Sequence, residues 1–450
     1  ELGTFTIRCS TALADDENPA NDAMNQQVEI LLNPTGSWEK LADLLPAPPR
    51  SKLVKGGGCM TQLSDGSTSH VYAFVGNGTY AFERYDPGTQ SWVLVESIPA
   101  YNREDKKKPV KDGAALAAAG GKVYATKGNN TLEFWMYDPG ASGGYPWTQL
   151  ADVPPGSKKV KAGAGMAAAN FGGAPCVFLL KGNGTSEFYR YNTNTAVWEA
   201  AASAPAGPSG KPYKAGSCIT ANIDDGQIYL LKGSYNEFFR YQVASDIWET
   251  LKPLPLKGTS GKSRKAKAGA SIAFARNSEG DVKYVFCLKG GNCNEFWQYD
   301  VARDTWTQLP DMPSGAKFVK DGGALTADRA ADLPSVFALR GNSTTEFFYF
   351  YTVPVGVEES PAVPARLPAR VSVVPNPSHS EFCIRLSSEL TATDQVEIYS
   401  ATGCLVRVVP RLPGVMTLVW DGRDSEGTAV PGGVYLVRAG SVSVKAVVER

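Results

Sequence analysis

A repeat of about fifty residues, present six times, constrains this chain more than any other feature. Each unit opens with a lysine, any one residue and a glycine. The six openings begin at Lys55, Lys111, Lys161, Lys214, Lys267 and Lys320. Successive openings lie 56, 50, 53, 53 and 53 residues apart. A fixed period of this length indicates repeated supersecondary units that bury their apolar faces only by packing against their neighbours.

Each unit contains the same succession of predicted strands. A strand of small residues, such as Ala114–Ala117, is followed by an alternating strand, such as Lys122–Thr126. A Gly-Asn turn leads to an aromatic strand, such as Glu133–Tyr137, and a tryptophan-bearing strand closes the unit. Small side chains suit the crowded axis of a propeller, whereas aromatic side chains of about 150–250 Å² each can fill the space between blades. The pattern therefore predicts an all-β chain with a six-bladed β-propeller.

The sixth unit has no tryptophan strand of its own, and the missing strand is found near the start of the chain. Residues 37–46 repeat the pattern of Trp306–Pro310. We therefore expect residues 37–46 to complete blade six within a propeller that spans residues 34–352. This closure removes the open sheet edges that would otherwise favour aggregation.

The double-glycine, tyrosine and tryptophan pattern resembles kelch repeats over roughly residues 37–352. The chain departs from the kelch pattern in two respects. The paired glycines after the second strand are mostly Gly-Asn, as at Gly128-Asn129, and lysine replaces the usual arginine between blades. The resemblance implies the propeller fold, but it transfers no specific kelch partner.

The segments on either side of the repeats suggest further domains. Residues 1–33 are similar to the closing strands of a bacterial cell-adhesion-related, immunoglobulin-like domain. The acidic loop at residues 15–22 offers oxygen ligands for calcium, although a solvated turn is the simpler interpretation. No signal peptide opens the chain, so we interpret it as a processed or truncated part of a longer protein. Residues 353–370 are rich in proline and predict a semi-rigid linker.

Residues 371–450 resemble the C-terminal sorting domain of type IX secretion substrates, which is a small immunoglobulin-like β-sandwich. The resemblance rests on Pro375-Asn376-Pro377, on Trp420-Asp421-Gly422 and on the late strand Gly433–Val437. It implies export across a bacterial outer membrane by the type IX secretion machinery. A secreted or cell-surface location follows from the resemblance.

Composition argues against several classes of function. The chain has 45 basic and 45 acidic residues, which disfavours nucleic acid or an anionic membrane as a partner of the whole protein. The sequence contains no apolar run of about 18 residues, so no membrane span is predicted. The only two histidines, His70 and His379, fall in different predicted domains. Zinc, copper-oxidase and Ser-His-Asp sites are therefore not expected. We predict no catalytic residues, no metal or other cofactor, and a monomer.

The eight cysteines are expected to be buried free thiols, because free cysteine packs like a small hydrophobic residue. No two of them form a Cys-x-x-Cys motif. The alternative is an oxidised pair, either Cys287–Cys293 or Cys383–Cys404.

Two sets of charged residues are predicted to lie on one face of the propeller. In most units a base precedes the turn between the second and third strands, and an acid follows this turn. Each such pair predicts a salt bridge within the hairpin, which contributes well under about 1 kcal/mol if exposed. The bases are Lys127, Lys181, Lys232, Lys289 and Arg340, and the acids are Glu133, Glu187, Glu237, Glu295 and Glu346. Blade one has Val75 and Ala81 at these positions, so base and acid are lost together.

The six lysines of the repeat openings have no matching set of acids, and we predict them as ligand-binding residues. These residues are Lys55, Lys111, Lys161, Lys214, Lys267 and Lys320. Six lysines less Asp112 and Asp321 leave a charge of +4 near the channel mouth. Such a cleft attracts counter-charge, which predicts capture of an anionic glycan or protein outside the cell.

Three alternatives remain at the level of the sequence. The lysines could tile a repeated turn and bind nothing. The chain could be the accessory and export region of a larger secreted hydrolase. It could also be a sugar-processing propeller enzyme that uses carboxylates.

Overall fold

The computed structural model describes residues 3–10, 23–30, 35–64, 69–142, 144–353, 371–374, 376–379, 381–386, 395–410, 417–440 and 442–449. These residues form strands and turns without a helix, so the described chain is all-β. Within them, no helix is long and apolar enough to cross a membrane. The chain divides into two compact units, Glu1–Gly356 and Val357–Arg450.

The first unit begins with a two-stranded antiparallel hairpin. Its strands are β1 (Gly3–Ser10) and β2 (Ala23–Ile30), with Phe5 opposite Val28. The acidic loop that was considered for calcium lies outside the described residues.

Residues 35–353, apart from 65–68 and 143, contain six four-stranded antiparallel sheets. Sheet one is β4 (Cys59–Ser64), β5 (Ser69–Phe74), β6 (Phe82–Asp86) and β7 (Ser91–Val95). Sheet two is β8 (Ala114–Ala119), β9 (Lys122–Lys127), β10 (Phe134–Tyr137) and β11 (Trp147–Gln149). Sheet three is β12 (Gly165–Phe171), β13 (Ala174–Leu180), β14 (Phe188–Asn192) and β15 (Val197–Ala200).

The remaining three sheets follow in the same way. Sheet four is β16 (Cys218–Asn222), β17 (Gln227–Leu231), β18 (Phe238–Gln242) and β19 (Ile247–Leu251). Sheet five is β20 (Ser271–Arg276), β21 (Lys283–Leu288), β22 (Phe296–Asp300) and β23 (Thr305–Leu309). Sheet six is β24 (Ala324–Ala327), β25 (Ser335–Leu339), β26 (Phe347–Val353) and β3 (Thr35–Lys40).

The outer strand of sheet six comes from the start of the chain. β3 runs antiparallel to β26, and Trp38 lies opposite Phe350. The Trp38 ring centroid lies 5.1 Å from that of Phe350 and 4.7 Å from that of Phe296 in sheet five. The strand therefore contributes to the core between sheets five and six as well as to its own sheet.

Two repeated sets of contacts join the sheets into a closed cycle, as in a propeller. The innermost strands are neighbours in the order β4, β8, β12, β16, β20, β24 and back to β4. In each sheet a tryptophan indole N–H of the outer strand donates to a carbonyl just beyond the outer strand of the preceding sheet. These bonds join Trp38 to Pro310, Trp92 to Ala42, Trp147 to Glu96, Trp198 to Ala151, Trp248 to Ala202 and Trp306 to Lys252, at 2.7–3.1 Å.

Aromatic side chains fill the spaces between neighbouring sheets. Between sheets two and three, the Phe134 ring meets the rings of Tyr191 and Trp198 edge-on, at centroid distances of 4.9 and 4.8 Å. Edge-to-face pairs of this kind contribute about 0.5–1.5 kcal/mol each beyond their buried area. The inner strands carry small residues such as Ala115 and Ala117, which allow the strands to approach one another around the axis.

The second unit consists of two sheets around one core. Its first sheet contains β27 (Val371–Val374), β28 (Phe382–Leu386) and β31 (Thr417–Trp420). Its second sheet contains β29 (Gln395–Ser400), β30 (Leu405–Pro410), β32 (Gly433–Ala439) and β33 (Val442–Val448). Trp420 is fully buried at their centre and stacks on Phe382 at 5.0 Å.

Candidate functional site: the lysine face

The six Lys-x-Gly turns form a closed ring at one end of the channel. Each glycine has a φ of 84–91° and lies against the backbone of the next lysine around the ring. A Cβ at Gly216 would lie 2.7 Å from the carbonyl oxygen of Lys267, so no side chain fits there. The contacts pass from Gly57 to Lys111 and onward, and Gly322 returns to Lys55. The structure therefore brings all six predicted lysines together on one face.

The side chains of these six residues, which we call the inner lysines, are all exposed. None of their ammonium groups forms an ion pair or hydrogen bond with another described residue. Asp112 and Asp321 are the acids within the same turns, and the Asp112 carboxylate occupies the space left by the missing side chain of Gly56. The inner lysines therefore carry charge that carboxylates of the fold do not neutralise.

A second set of bases on this face was missed in the sequence. It lies three residues before the inner lysines, and we call its members the outer bases. They are Lys52, Lys108, Lys158, Lys211, Arg264 and Lys317. Lys52 and Arg264 are half-buried and the other four are exposed. The signal was a base at the same offset in every repeat, which would have extended the motif to Lys-x-x-Lys-x-Gly with Arg264 as its one variant. The inner lysines and outer bases together define the lysine face.

Backbone hydrogen bonds hold the base-bearing segments in place. Between the outer base and the inner lysine of a sheet lies a buried residue, such as Val110. Its N–H and C=O both bond to the turn between the second and third strands of the preceding sheet. The Val110 amide donates to the carbonyl of Thr79, and its carbonyl accepts from the amide of Gly78, both at 2.9 Å. Val54 closes the cycle with the same two bonds to sheet six. The segments are thus fixed by their backbone while their basic side chains project outward.

The asparagine of the Gly-Asn turn anchors the same segments in four sheets. Its side-chain amide donates to a carbonyl between the two bases of its own sheet. The pairs are Asn77 with Leu53, Asn129 with Pro109, Asn183 with Lys159 and Asn342 with Phe318, at 2.9–3.1 Å. These asparagines have φ values of 50–55°, a left-handed conformation that asparagine tolerates better than most residues.

Replacement of Asn342 by alanine is expected to lower the free energy of unfolding by about 1–2 kcal/mol. Alanine loses the hydrogen bond to Phe318 and adopts the left-handed conformation at a cost. Asn342→Gly loses only the hydrogen bond and should be less destabilising than Asn342→Ala. Urea denaturation of the two variants measures the difference, and equal stabilities would show that the backbone conformation is unimportant.

The five predicted base–acid pairs are confirmed as ion pairs, but their setting differs from the prediction. Their N–O distances are 2.6–2.9 Å. The structure buries all five basic side chains completely, so the expectation for an exposed pair does not apply. Aromatic rings complete several of these sites, as where Lys127 lies 4.8 Å from the Trp135 ring centroid. These bases stabilise the hairpins and cannot contact a ligand on the surface.

Sheet one differs from the other five sheets at the positions of the base, of the acid and of the aromatic residue that packs against the base. Val75 and Ala81 replace the base and the acid, and Glu83 replaces the aromatic residue. Glu83 is fully buried, and its Oε2 accepts a hydrogen bond from the Leu45 amide at 3.0 Å. Its Oε1 has no hydrogen-bond donor among the described residues. Burial raises the pKa of the Glu83 carboxyl to about 8, and the Leu45 bond opposes this effect only in part.

Cysteine and metal chemistry add no further site to the described part of the chain. The seven cysteines whose side chains are described carry free thiols. Burial raises the pKa of Cys218 to about 12, so this thiol stays protonated. Among the described residues, no three histidine, cysteine, aspartate or glutamate side chains are grouped so that they could hold a metal ion.

Comparison with known proteins supports a kelch-like or propeller fold. No family model matches the chain. Kelch-like protein terF of Aspergillus terreus is 25% identical over 256 residues, covering 52% of this chain and 50% of that protein. The chain therefore spans about half the length of the curated relative that it matches.

Two solved structures illustrate the structural similarity. The SapL1 lectin in complex with alpha methyl fucoside has a TM-score of 0.43 and 15% identity, covering 67% of this chain and 95% of the lectin. A fungal alcohol oxidase in complex with copper has a TM-score of 0.43 and 12% identity, covering 92% of this chain and 100% of the oxidase.

Proposed function

We propose that the first unit is a six-bladed kelch-like propeller that binds an anionic polymer on its lysine face and performs no catalysis. The observation that carries the proposal is the closed ring of six exposed lysines whose ammonium groups have no carboxylate partner among the described residues. Because the backbone of every turn is fixed, the charges are held in a regular array before a ligand arrives. Preorganisation of this kind reduces the entropy lost on binding.

The distribution of charge favours an extended polyanion over a single small anion. The inner lysines and outer bases supply twelve positive charges, and the turns of the inner lysines contain two acids, Asp112 and Asp321. The carboxylate of Glu295 lies 3.3 Å from Arg264. Single exposed ion pairs contribute little, but a polymer that engages several lysines at once gains from its high effective concentration. An acidic polysaccharide is the ligand class that fits this array.

We further propose that the ligand is met outside the cell. The second unit has two sheets around a buried Trp420, which supports its interpretation as an immunoglobulin-like sorting sandwich. Export by type IX secretion to the medium or the cell surface follows from that interpretation. Transfer of residues 371–450 to a periplasmic reporter, followed by detection of the reporter in the medium, tests it in a bacterium with the type IX machinery.

Reversal of three inner lysines is expected to weaken the binding of polygalacturonate at least about tenfold. The variant is Lys161→Glu/Lys214→Glu/Lys267→Glu, and calorimetric titration at low ionic strength measures the affinity. A control variant with the same change in net charge is Arg303→Glu/Arg385→Glu/Lys445→Glu, which leaves the lysine face intact. Equal affinities of the two variants would contradict the proposal.

A further inference from the structure

The channel has a second charged end, opposite the lysine face. Each inner strand runs from a Lys-x-Gly turn to a hairpin connection at the far end. There, a pocket of about 170 Å³ lies between the ends of the inner strands and is lined in part by Ser64, Gly121, Asn170 and Arg329. Arg329 also borders the central part of the channel. This pocket shares no residue with the lysine face.

A buried polar network fixes the backbone that presents Arg329. Its amide donates to Oε1 of Gln62 at 2.7 Å, and Nε2 of Gln62 donates to Asp328 at 3.1 Å. The Tyr349 hydroxyl donates to the other Asp328 oxygen at 2.9 Å. Gln62 and Asp328 are both buried, and their bond joins sheets one and six. The arginine is therefore held by side chains that form no part of the regular repeat.

The guanidinium group of Arg329 has no partner in the described part of the chain. Solvent reaches the side chain, but the surrounding protein lowers the pKa of the guanidinium by desolvation. Arg276 occupies the corresponding position in sheet five, nine residues after its inner lysine. In contrast to Arg329, the Arg276 guanidinium has hydrogen-bond partners: it donates to Asp224 at 2.6 Å and to the carbonyls of Asn277 and Ser278.

Among the described residues, the charges that act on Arg329 do not neutralise it. Asp224 favours its charged form and Arg276 opposes it, and these two residues already form an ion pair with each other. Apart from Arg329, the described residues that line the pocket are uncharged: Ala118, Ala168 and Pro175 supply apolar surface, while Asn170 and Ser64 supply polar groups. One unpaired cation thus faces a small cavity of mixed polarity.

We propose that this pocket binds a small organic acid whose carboxylate pairs with Arg329. A guanidinium group matches a carboxylate through two parallel hydrogen bonds, which gives both strength and orientation. A cavity of about 150 Å³ is large enough for a six-membered ring. The ligand is therefore a ring-sized acid, and the mixed lining suits either a sugar acid or an aromatic acid.

The test uses D-glucuronate and benzoate as probes, titrated into the full chain by calorimetry. We expect at least one probe to bind with an affinity in the millimolar range or better, and Arg329→Gln to weaken it at least about tenfold. Arg329→Lys should retain part of the affinity because it keeps the charge but loses the paired hydrogen bonds. Since the Arg329 side chain makes no hydrogen bond to another described residue, both variants should fold, which thermal unfolding verifies.

The test of the Arg329 pocket can fail or succeed independently of the test of the lysine face. Lys161→Glu/Lys214→Glu/Lys267→Glu should leave probe binding unchanged, and Arg329→Gln should leave polygalacturonate binding unchanged. The proposal is overturned if neither probe binds, or if binding survives in Arg329→Gln. Binding of glucuronate alone identifies a sugar-acid site, and binding of benzoate alone identifies an aromatic-acid site.

Discussion

Replacement of Lys127 by methionine is expected to lower the free energy of unfolding by about 3–5 kcal/mol. Lys127 is fully buried, and its Nζ lies 2.7 Å from the carboxylate of Glu133, which is also buried. Without the lysine, the carboxylate keeps one hydrogen bond among the described residues, from the indole N–H of Trp135 at 3.2 Å. An uncompensated buried charge is among the most destabilising changes in a protein interior. Equilibrium denaturation in urea measures the effect.

The control for this prediction removes both members of the pair. Lys127→Met/Glu133→Leu should recover most of the lost stability, because apolar side chains of similar volume can replace a buried ion pair at little cost. Sheet one is a natural precedent, since Val75 and Ala81 are both buried at the corresponding positions. A double variant as unstable as Lys127→Met would mean that the ion pair stabilises the fold in its own right.

Replacement of Glu83 by glutamine is expected to remove a large pH dependence of stability. The folded-state pKa of Glu83 is about 8, against an ordinary value of 4.5. Below pH 4.5 the carboxyl is protonated in both states, so the variant and the parent should be similarly stable. Between pH 4.5 and 8 the unfolded chain releases this proton while the folded chain retains it, so the parent loses stability as the pH rises.

The difference between the Glu83→Gln variant and the parent therefore grows with pH. We expect the variant to be more stable by about 3–5 kcal/mol at pH 8 and to show no gain at pH 4. Thermal unfolding of both proteins across this range measures the difference, and subtraction cancels the other titrating groups that they share. A pH-independent difference would show that Glu83 titrates normally and that its site is hydrated.

The repeat made much of the first unit predictable from sequence. Tryptophans at one position in every unit, with small residues on the first strand, indicated four-stranded sheets because each residue type suits one radial position. The ion pairs were also predictable, since Val75 and Ala81 replace a base and an acid together. Their burial was not predictable, because it depends on aromatic rings such as Trp135 that pack over the base from the neighbouring strand.

The sites were less predictable than the fold. The inner lysines stood out because each opens a repeat, whereas the outer bases lie before that opening, although at a constant offset of three residues. Arg329 gave no signal in the sequence. Its importance depends on an unpaired side chain and on a bond between Gln62 and Asp328, which are 266 residues apart. A pattern within one repeat cannot reveal contacts made between the first sheet and the last.

The most direct measurement for the proposed function is the affinity of the unmodified chain for polygalacturonate at two ionic strengths. The screening length falls from about 30 Å at 0.01 M salt to about 3 Å at 1 M, so exposed lysines attract a polyanion far more strongly in dilute salt. The lysine face predicts clear binding near 0.01 M salt and a loss of at least about tenfold near 0.15 M. An absence of binding at low salt, or an affinity that salt does not change, would contradict the proposal that the lysine face captures an anionic polymer.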